Sequence, residues 1–357
     1  MPVPSLQKAL FLEAKQGQWV VRSTEVVRPE PGDIVVKVEA AALGGVEWKI
    51  QAWGVLVKKY PVTLGLDGAG TVVELGEGVT TFAVGDRVLF QGNWDAATGT
   101  GTGTFLQYFT VPAQFVAKIP DNISFEAAST VPLGVGTAAF SIYNQADSAP
   151  SARYLAPWLP GGRGKYAGKS AVILGGSTSH GQYALQLVRL SGFSPIITTG
   201  SLHNTDLLKS FGATHVLDRK LSDEEIEAQV TQIAGGSVDL VYDAVSVGGT
   251  FPLALALTAP GGNMLVVQVA PDKIVEEARK DGKTVHKIHG VFRTPINHEI
   301  SRTLLAKLPD LLESGDIKPN RWEVLPGGLH GIVGGLERMK NDQVSGVKLV
   351  VRPQETD

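Results

Sequence analysis

The stretch Ala171-Val172-Ile173-Leu174-Gly175-Gly176-Ser177-Thr178-Ser179-His180-Gly181-Gln182 decides the architecture. Its apolar residues predict a short buried strand, its small residues a tight turn, and the run that follows a helix start. A helix that opens on such a turn presents backbone N–H groups and the positive end of its dipole, which suits a phosphate-bearing ligand. A strict G-x-G-x-x-G fingerprint needs glycine where Thr178 stands, so Gly176 and Gly181 carry the match together with the context around them.

That context is a strand–helix alternation. Short apolar strands are expected at 170–174, 195–199, 215–217, 238–242 and 263–267, with helices near 181–191, 204–211, 222–234 and 249–258. Alternation of this kind predicts an α/β doubly wound parallel sheet of the Rossmann type. The Pro- and Gly-rich stretch 148–168 reads as a loop inserted before the first strand. Upstream, residues 1–130 hold short β-branched runs such as Ile34-Val35-Val36-Lys37-Val38, punctuated by Gly and Pro, and predict an irregular β-rich domain. Beyond 310 the pattern is mixed and ends in the strand-like run 347–352, placed to return to the first domain. The expected division is therefore a catalytic domain at 1–130 completed by 310–357, and a nucleotide-binding domain at 131–309.

The chain has 357 residues, enough for two cores, and its 43% hydrophobic and 19% charged content fits a globular protein. A formal charge of −3 speaks against a nucleic-acid partner or an anionic membrane surface. With no cysteine, disulfides and thiolate-bound zinc are excluded. Met1-Pro2-Val3-Pro4 lacks the pattern of a secretory leader, and no apolar run reaches the ~18 residues of a membrane span. The expected location is the cytoplasm.

The end of the second strand bears on the ligand. A site that prefers NAD usually carries Asp or Glu there to hold the ribose 2′-hydroxyl. Here the sequence reads Thr198-Thr199-Gly200-Ser201-Leu202-His203-Asn204, with no carboxylate to repel a 2′-phosphate. Ser201, His203 and Asn204 offer hydrogen bonds and Arg219 offers charge, which favours NADPH. The alternative is that Ser201 and Asn204 merely cap the next helix. Ser177, Thr178, Ser179 and His180 complete the expected contacts of the turn. Asp243, and the loop after Val267, fall at strand C-termini, where open α/β sheets bind ligands.

Both halves together resemble one family. Gly65-Leu66-Asp67-Gly68-Ala69-Gly70-Thr71-Val72, then Gly76, Val79 and Phe82-Ala83-Val84-Gly85-Asp86-Arg87-Val88, are similar to the GroES-like domain of medium-chain dehydrogenases/reductases. The likeness runs through the tail Ser345-Gly346-Val347-Lys348-Leu349-Val350-Val351. Within that family Gly175-Gly176-Ser177-Thr178, Arg189-Leu190-Ser191-Gly192-Phe193 and Leu202-His203-Asn204 resemble the fungal trans-acting enoyl reductases that partner polyketide synthases, and quinone oxidoreductase-like proteins. In zinc alcohol dehydrogenases, which share the fold, the first ligand would fall at Gly44, the Gly-His-Glu signature on Gly65-Leu66-Asp67 and the proton-relay hydroxyl at Val46. No imidazole or thiolate stands at these positions, and Asp67 alone cannot hold zinc, so no metal is expected.

Without a metal, a developing oxyanion needs N–H, O–H or ammonium donors. The resemblance implies two residues: Lys49, which would stabilise or help protonate an enolate, and Thr137, which would hold the nicotinamide amide or the substrate carbonyl. The alternatives are a surface lysine paired with Glu47 or Asp67, and a helix N-terminal hydroxyl. Against the family pattern, Gly44-Gly45 replaces Asn-Pro and Glu47 replaces Asp. Lys348, in the tail, is expected at the cofactor. Trp48, Trp53, Tyr60, Phe90 and Trp94 fall in segments that form the substrate cleft in the family, and at least two of them are expected in the core. The implied activity is NADPH-dependent hydride transfer to an activated carbon–carbon double bond of a small molecule such as a polyketide or other enone, by a monomer or homodimer with a synthase as a candidate partner. A quinone or carbonyl reductase on the same scaffold, and an NADPH-binding protein with little activity, are the competing readings.

Overall fold

The computed structural model describes residues 3–95 and 98–357; Met1 and Pro2, on which the leader expectation partly falls, and Ala96 and Ala97 lie outside the described residues. The chain forms two compact units: Met1–Leu133 with Val291–Gly315 and Pro319–Asp357, and Gly134–Gly290 with Asp316–Lys318. No helix among the described residues is long and apolar enough to cross a membrane.

The first unit is built around the strand Asp33–Ala42. Ile34, Val36 and Val38 recur at the period of a strand and are wholly buried. This strand pairs antiparallel with Asp67–Leu75 on one side and with Tyr108–Pro112 and Val347–Val351 on the other. The C-terminal run thus returns to the β-rich sheet, with Val350 opposite Ala42. Leu10, Leu43, Val72, Phe109 and Leu349 fill the core beneath it.

The second unit carries a six-stranded parallel sheet. In spatial order its strands are His215–Asp218, Ile196–Gly200, Ala171–Leu174, Val238–Asp243, Thr258–Val266 and Thr284–Lys287. Chain order reverses between Ala171–Leu174 and Val238–Asp243, the switch point at which doubly wound sheets take ligands. Five of these strands coincide with the expected ones. The sixth is short, half-exposed and without an apolar run, so its sequence carried no signal. The strand expected at 263 starts at Thr258, but its ladder is interrupted: Thr258 pairs with Val238 and Asn263 with Leu240, and the residues between them, with Gly261 at φ 77°, bulge out of register. The stretch 148–168 has no helix or strand. It is held by a ring cluster in which Tyr154 lies edge-on to Tyr166 and Phe193, with centroids 4.6 and 5.3 Å apart.

Candidate active site

In the second unit the strand Ala171–Leu174 delivers the chain into the Gly175–Ser179 turn. Gly175 N–H donates to Thr199 Oγ1 at 2.9 Å and Gly176 N–H to Thr199 O at 3.0 Å, so the turn is strapped to the neighbouring strand. The closeness explains two glycines: a Cβ at Gly176 would run into Thr198 Oγ1, and one at Gly181 into Gly175 O. Thr178, which departs from the strict fingerprint, is the N-cap of the helix Ser179–Leu190, and its hydroxyl accepts from Gly181 N–H at 3.1 Å. Ser177, Ser179 and His180 are half-buried at this helix start.

At the end of Ile196–Gly200, Ser201 and Asn204 do not cap the following helical turns with their side chains. Instead Ser201 Oγ accepts from Arg219 Nε at 3.0 Å, and the exposed His203 ring lies 3.2 Å from the Asn204 amide. The turn and the Ser201–Arg219 pair thus hold the ends of adjacent strands.

Asp243 ends the fourth strand, wholly buried. Its carboxylate accepts from Val245 N–H at 3.0 Å, Ser246 N–H at 2.8 Å and Thr250 Oγ1 at 2.6 Å, while burial pushes its pKa up. Ser246, at φ 50°, donates to Asp243 O at 2.8 Å and accepts from Val267 N–H at 2.9 Å. A side chain therefore ties the Val245–Val247 loop to the start of the next one. The sequence reading took up Asp243 and Val267 but missed Ser246; its signal was a serine three residues after a strand-ending Asp. Thr137 is buried in the middle of the helix Pro132–Tyr143, not at its N-terminus, and a Cβ at Gly290 would collide with its hydroxyl.

In the first unit the helix Gly45–Trp53 carries Lys49. Gly44 is its N-cap, and Glu47 reaches back to accept from Gly44 N–H at 3.0 Å. Lys49 pairs with neither Glu47 nor Asp67. Its Nζ lies 5.7 and 5.6 Å from the ring centroids of Trp48 and Trp53, which meet edge-on, and burial lowers its pKa. The partner of Asp67 is Lys348, at 2.5 Å, with side chains 1% and 5% exposed. Lys348, expected at the cofactor, is therefore turned inward: its ammonium is spent on a buried carboxylate. The other Asp67 oxygen accepts from Leu133 N–H at 2.6 Å.

The expected pocket aromatics separate. Trp48, Tyr60 and Trp94 are half-buried and Trp53 is exposed. Tyr60 Oη is buried with no hydrogen-bond partner among the described residues, and burial raises its pKa. Phe90 is a correction: it is wholly buried and stacked on Phe109 with centroids 5.2 Å apart, because its side of the strand Arg87–Gln91 faces the core. Among the described residues no group of three or more His, Cys, Asp or Glu is placed to hold a metal ion.

Residues 30–121 match the alcohol dehydrogenase GroES-like domain, and residues 181–308 the zinc-binding dehydrogenase domain. The chain is 30% identical to the trans-enoyl reductase RAP2 of Pyricularia oryzae over 98% of this chain and 99% of that protein. It is 33% identical to the trans-enoyl reductase ACTTS2 of Alternaria alternata, over 94% and 97% of the two chains. Its fold matches that of an alcohol dehydrogenase superfamily protein from Novosphingobium aromaticivorans, with a TM-score of 0.77 at 22% identity over 97% and 99% of the chains. The chain belongs to the medium-chain dehydrogenase/reductase family, and fungal trans-enoyl reductases are among its full-length relatives.

Proposed function

We propose that this protein is an NADPH-dependent, metal-independent enoyl reductase that delivers hydride to an activated carbon–carbon double bond. The observation that carries it is Lys49: a half-buried ammonium, lined by two indoles, with a lowered pKa and no carboxylate at ion-pair distance among the described residues. Desolvation of this kind makes a lysine a better proton donor near neutral pH.

The nucleotide unit fits a phosphorylated dinucleotide. Gly176 and Gly181 let the turn close tightly on Thr198 and on itself, and the capped helix aims its N-terminus at the turn. Ser177, Thr178, Ser179 and His180 would hold the pyrophosphate. Ser201 and Arg219, with His203 and Asn204 beside them, would hold the 2′-phosphate. Val267, fixed by Ser246, would border the nicotinamide. When bound, the cofactor supplies the hydride.

Lys49 would stabilise the developing enolate at its oxygen or help deliver the proton that its α-carbon takes up, directly or through water. Thr137 orients an amide or carbonyl. Trp48, Trp53, Tyr60 and Trp94 give a flat apolar lining that suits a polyketide or similar enone. Metal independence is supported by the donor set: Gly44 and Leu66 have no ligating side-chain atom, and both Asp67 oxygens are already engaged. A synthase supplying a tethered enoyl chain is the partner that the trans-enoyl reductase relatives suggest.

NADPH oxidation measured in parallel with an enone, a quinone and an aldehyde tests this. The expected result is turnover of the enone with kcat/KM reduced by about 10²–10⁴-fold in Lys49→Ala. Full activity in Lys49→Ala, or turnover of the quinone or aldehyde alone, rejects it. Tight NADPH binding without turnover of any of the three marks a cofactor-binding protein instead.

A further inference from the structure

The first unit buries three ionisable side chains at one point. Glu47 is 1% exposed, and Asp67 and Lys348 form an ion pair beside it. The charged groups that face Glu47 from the packed elements are Asp67, on the strand Asp67–Leu75, and Lys348, on the strand Val347–Val351. One ammonium cannot neutralise two carboxylates, and Asp67 holds it directly. An ionised Glu47 would leave a net negative charge where water cannot reach it. Its Oε1 is buried with no hydrogen-bond partner among the described residues, which is costly for a carboxylate oxygen and much less so for an acid.

The other oxygen fixes the helix that bears Lys49. Glu47 Oε2 accepts from Gly44 N–H and closes the first turn of Gly45–Trp53, two residues before Lys49. Gly44 has φ −116° and ψ 163°, which any residue adopts, so its lack of a side chain serves space alone. A Cβ there would lie 2.8 Å from Glu47 Oε2. Gly44 and Glu47 thus meet closely across the cap, and a Cβ at position 44 would make the end of the Glu47 side chain shift.

We propose that Glu47 is a positioning residue that, as a neutral acid, holds the Lys49 helix against the Asp67–Lys348 pair, so that loss of its proton shifts Lys49 and its two tryptophans. Burial pushes the Glu47 carboxyl up to about 7, so that loss falls in the neutral range. The effect on turnover rests on the role given to Lys49 above, but the displacement does not.

Two measurements test it. In the ligand-free protein, tryptophan fluorescence should titrate with a midpoint near pH 7, and Glu47→Gln should abolish that transition. With an enone as substrate, Glu47→Ala should lower kcat at least about tenfold with little change in the KM for NADPH, and the conservative Glu47→Gln should restore most of it and flatten the alkaline fall. A wild-type fluorescence signal indifferent to pH between 6 and 8, or a transition that persists in Glu47→Gln, overturns the proposal even if no enone is ever reduced. Unchanged kcat in Glu47→Ala overturns it if one is.

Discussion

Replacing Lys348 with Met separates two roles that the sequence and the structure give this residue. The long apolar stem is kept and only the charge is removed. Asp67, 1% exposed, would then hold a buried charge with the Leu133 N–H as its remaining bond and Glu47 close by. Breaking a buried ion pair from one side typically costs about 3–5 kcal/mol. For a unit of this size that corresponds to a fall in Tm of roughly 6–20 °C, taking ~2–4 °C per kcal/mol. Urea unfolding at pH 7 of wild type, Lys348→Met, Asp67→Asn and the double variant gives the coupling energy. The double variant should recover at least about half of the loss, since removing both charges leaves no uncompensated ion. NADPH affinity of folded Lys348→Met should stay within about threefold of wild type, because an ammonium that is 5% exposed and already paired has little to offer a ligand. A cost below about 1 kcal/mol, additive single variants, or a large loss of NADPH affinity at unchanged stability would refute the pairing and return Lys348 to the cofactor.

Three more outcomes are expected. Arg219→Ala should weaken NADPH by about 10–100-fold, the worth of one charge-assisted hydrogen bond, and leave NADH unchanged; equal losses for both in calorimetry would remove Arg219 from the 2′-phosphate. Gly176→Ala should cost about 1–3 kcal/mol and most of the nucleotide affinity, as the new methyl displaces Thr198 from its 2.7 Å bond to Ile173 O; wild-type melting and binding would show that the turn has room. For Glu47, the folded-state pKa of about 7 stands above the ordinary 4.5, so the folded form binds the extra proton between these values and its stability falls as pH rises through them. The loss amounts to about 3 kcal/mol, present below pH ~4.5 as stability and gone above pH ~7. Chemical denaturation from pH 4.5 to 8 should show this slope in wild type and not in Glu47→Gln; parallel curves would mean that Glu47 is ionised throughout.

The alternation of strand and helix was legible because the two central strands of the parallel sheet are uninterrupted apolar runs: Val172-Ile173-Leu174 and Leu240-Val241-Tyr242 cannot satisfy a helix face and are too short for a core helix. The edge strand Thr284–Lys287 lacks that run because only one neighbour covers it, and its half-exposed residues look like loop. The turn at Gly175 was legible for a local reason as well: cap, glycine spacing and helix start all lie within a few residues. Thr178 looked like a flaw there until the structure showed its hydroxyl on the Gly181 N–H, a bond that glycine cannot make.

The polar centre of the first unit was illegible for the opposite reason. Lys348 and Asp67 are separated by 281 residues, and nothing in either local sequence says that they meet. Judged locally, Lys348 sits in a tail motif and reads toward the ligand, while Asp67 reads as a ligand set missing its partners or as a partner for Lys49. Phe90, open in the sequence between cleft and core, also needed distant residues to place it. Its strand is buried on both faces from Val88 to Gln91, and the place of the Phe90 ring is decided by Phe109 and by Gly68, whose bare Cα admits it. Local sequence therefore reports well where a backbone turns and caps. It reports poorly which charge cancels which across a sheet, as Asp67 and Lys348 show. Asp67 is paired with Lys348, the buried Glu47 carboxyl is turned to the Gly44 N–H, and among the described residues no carboxylate lies at ion-pair distance from the Lys49 ammonium. That leaves it between Trp48 and Trp53, where desolvation favours giving its proton away.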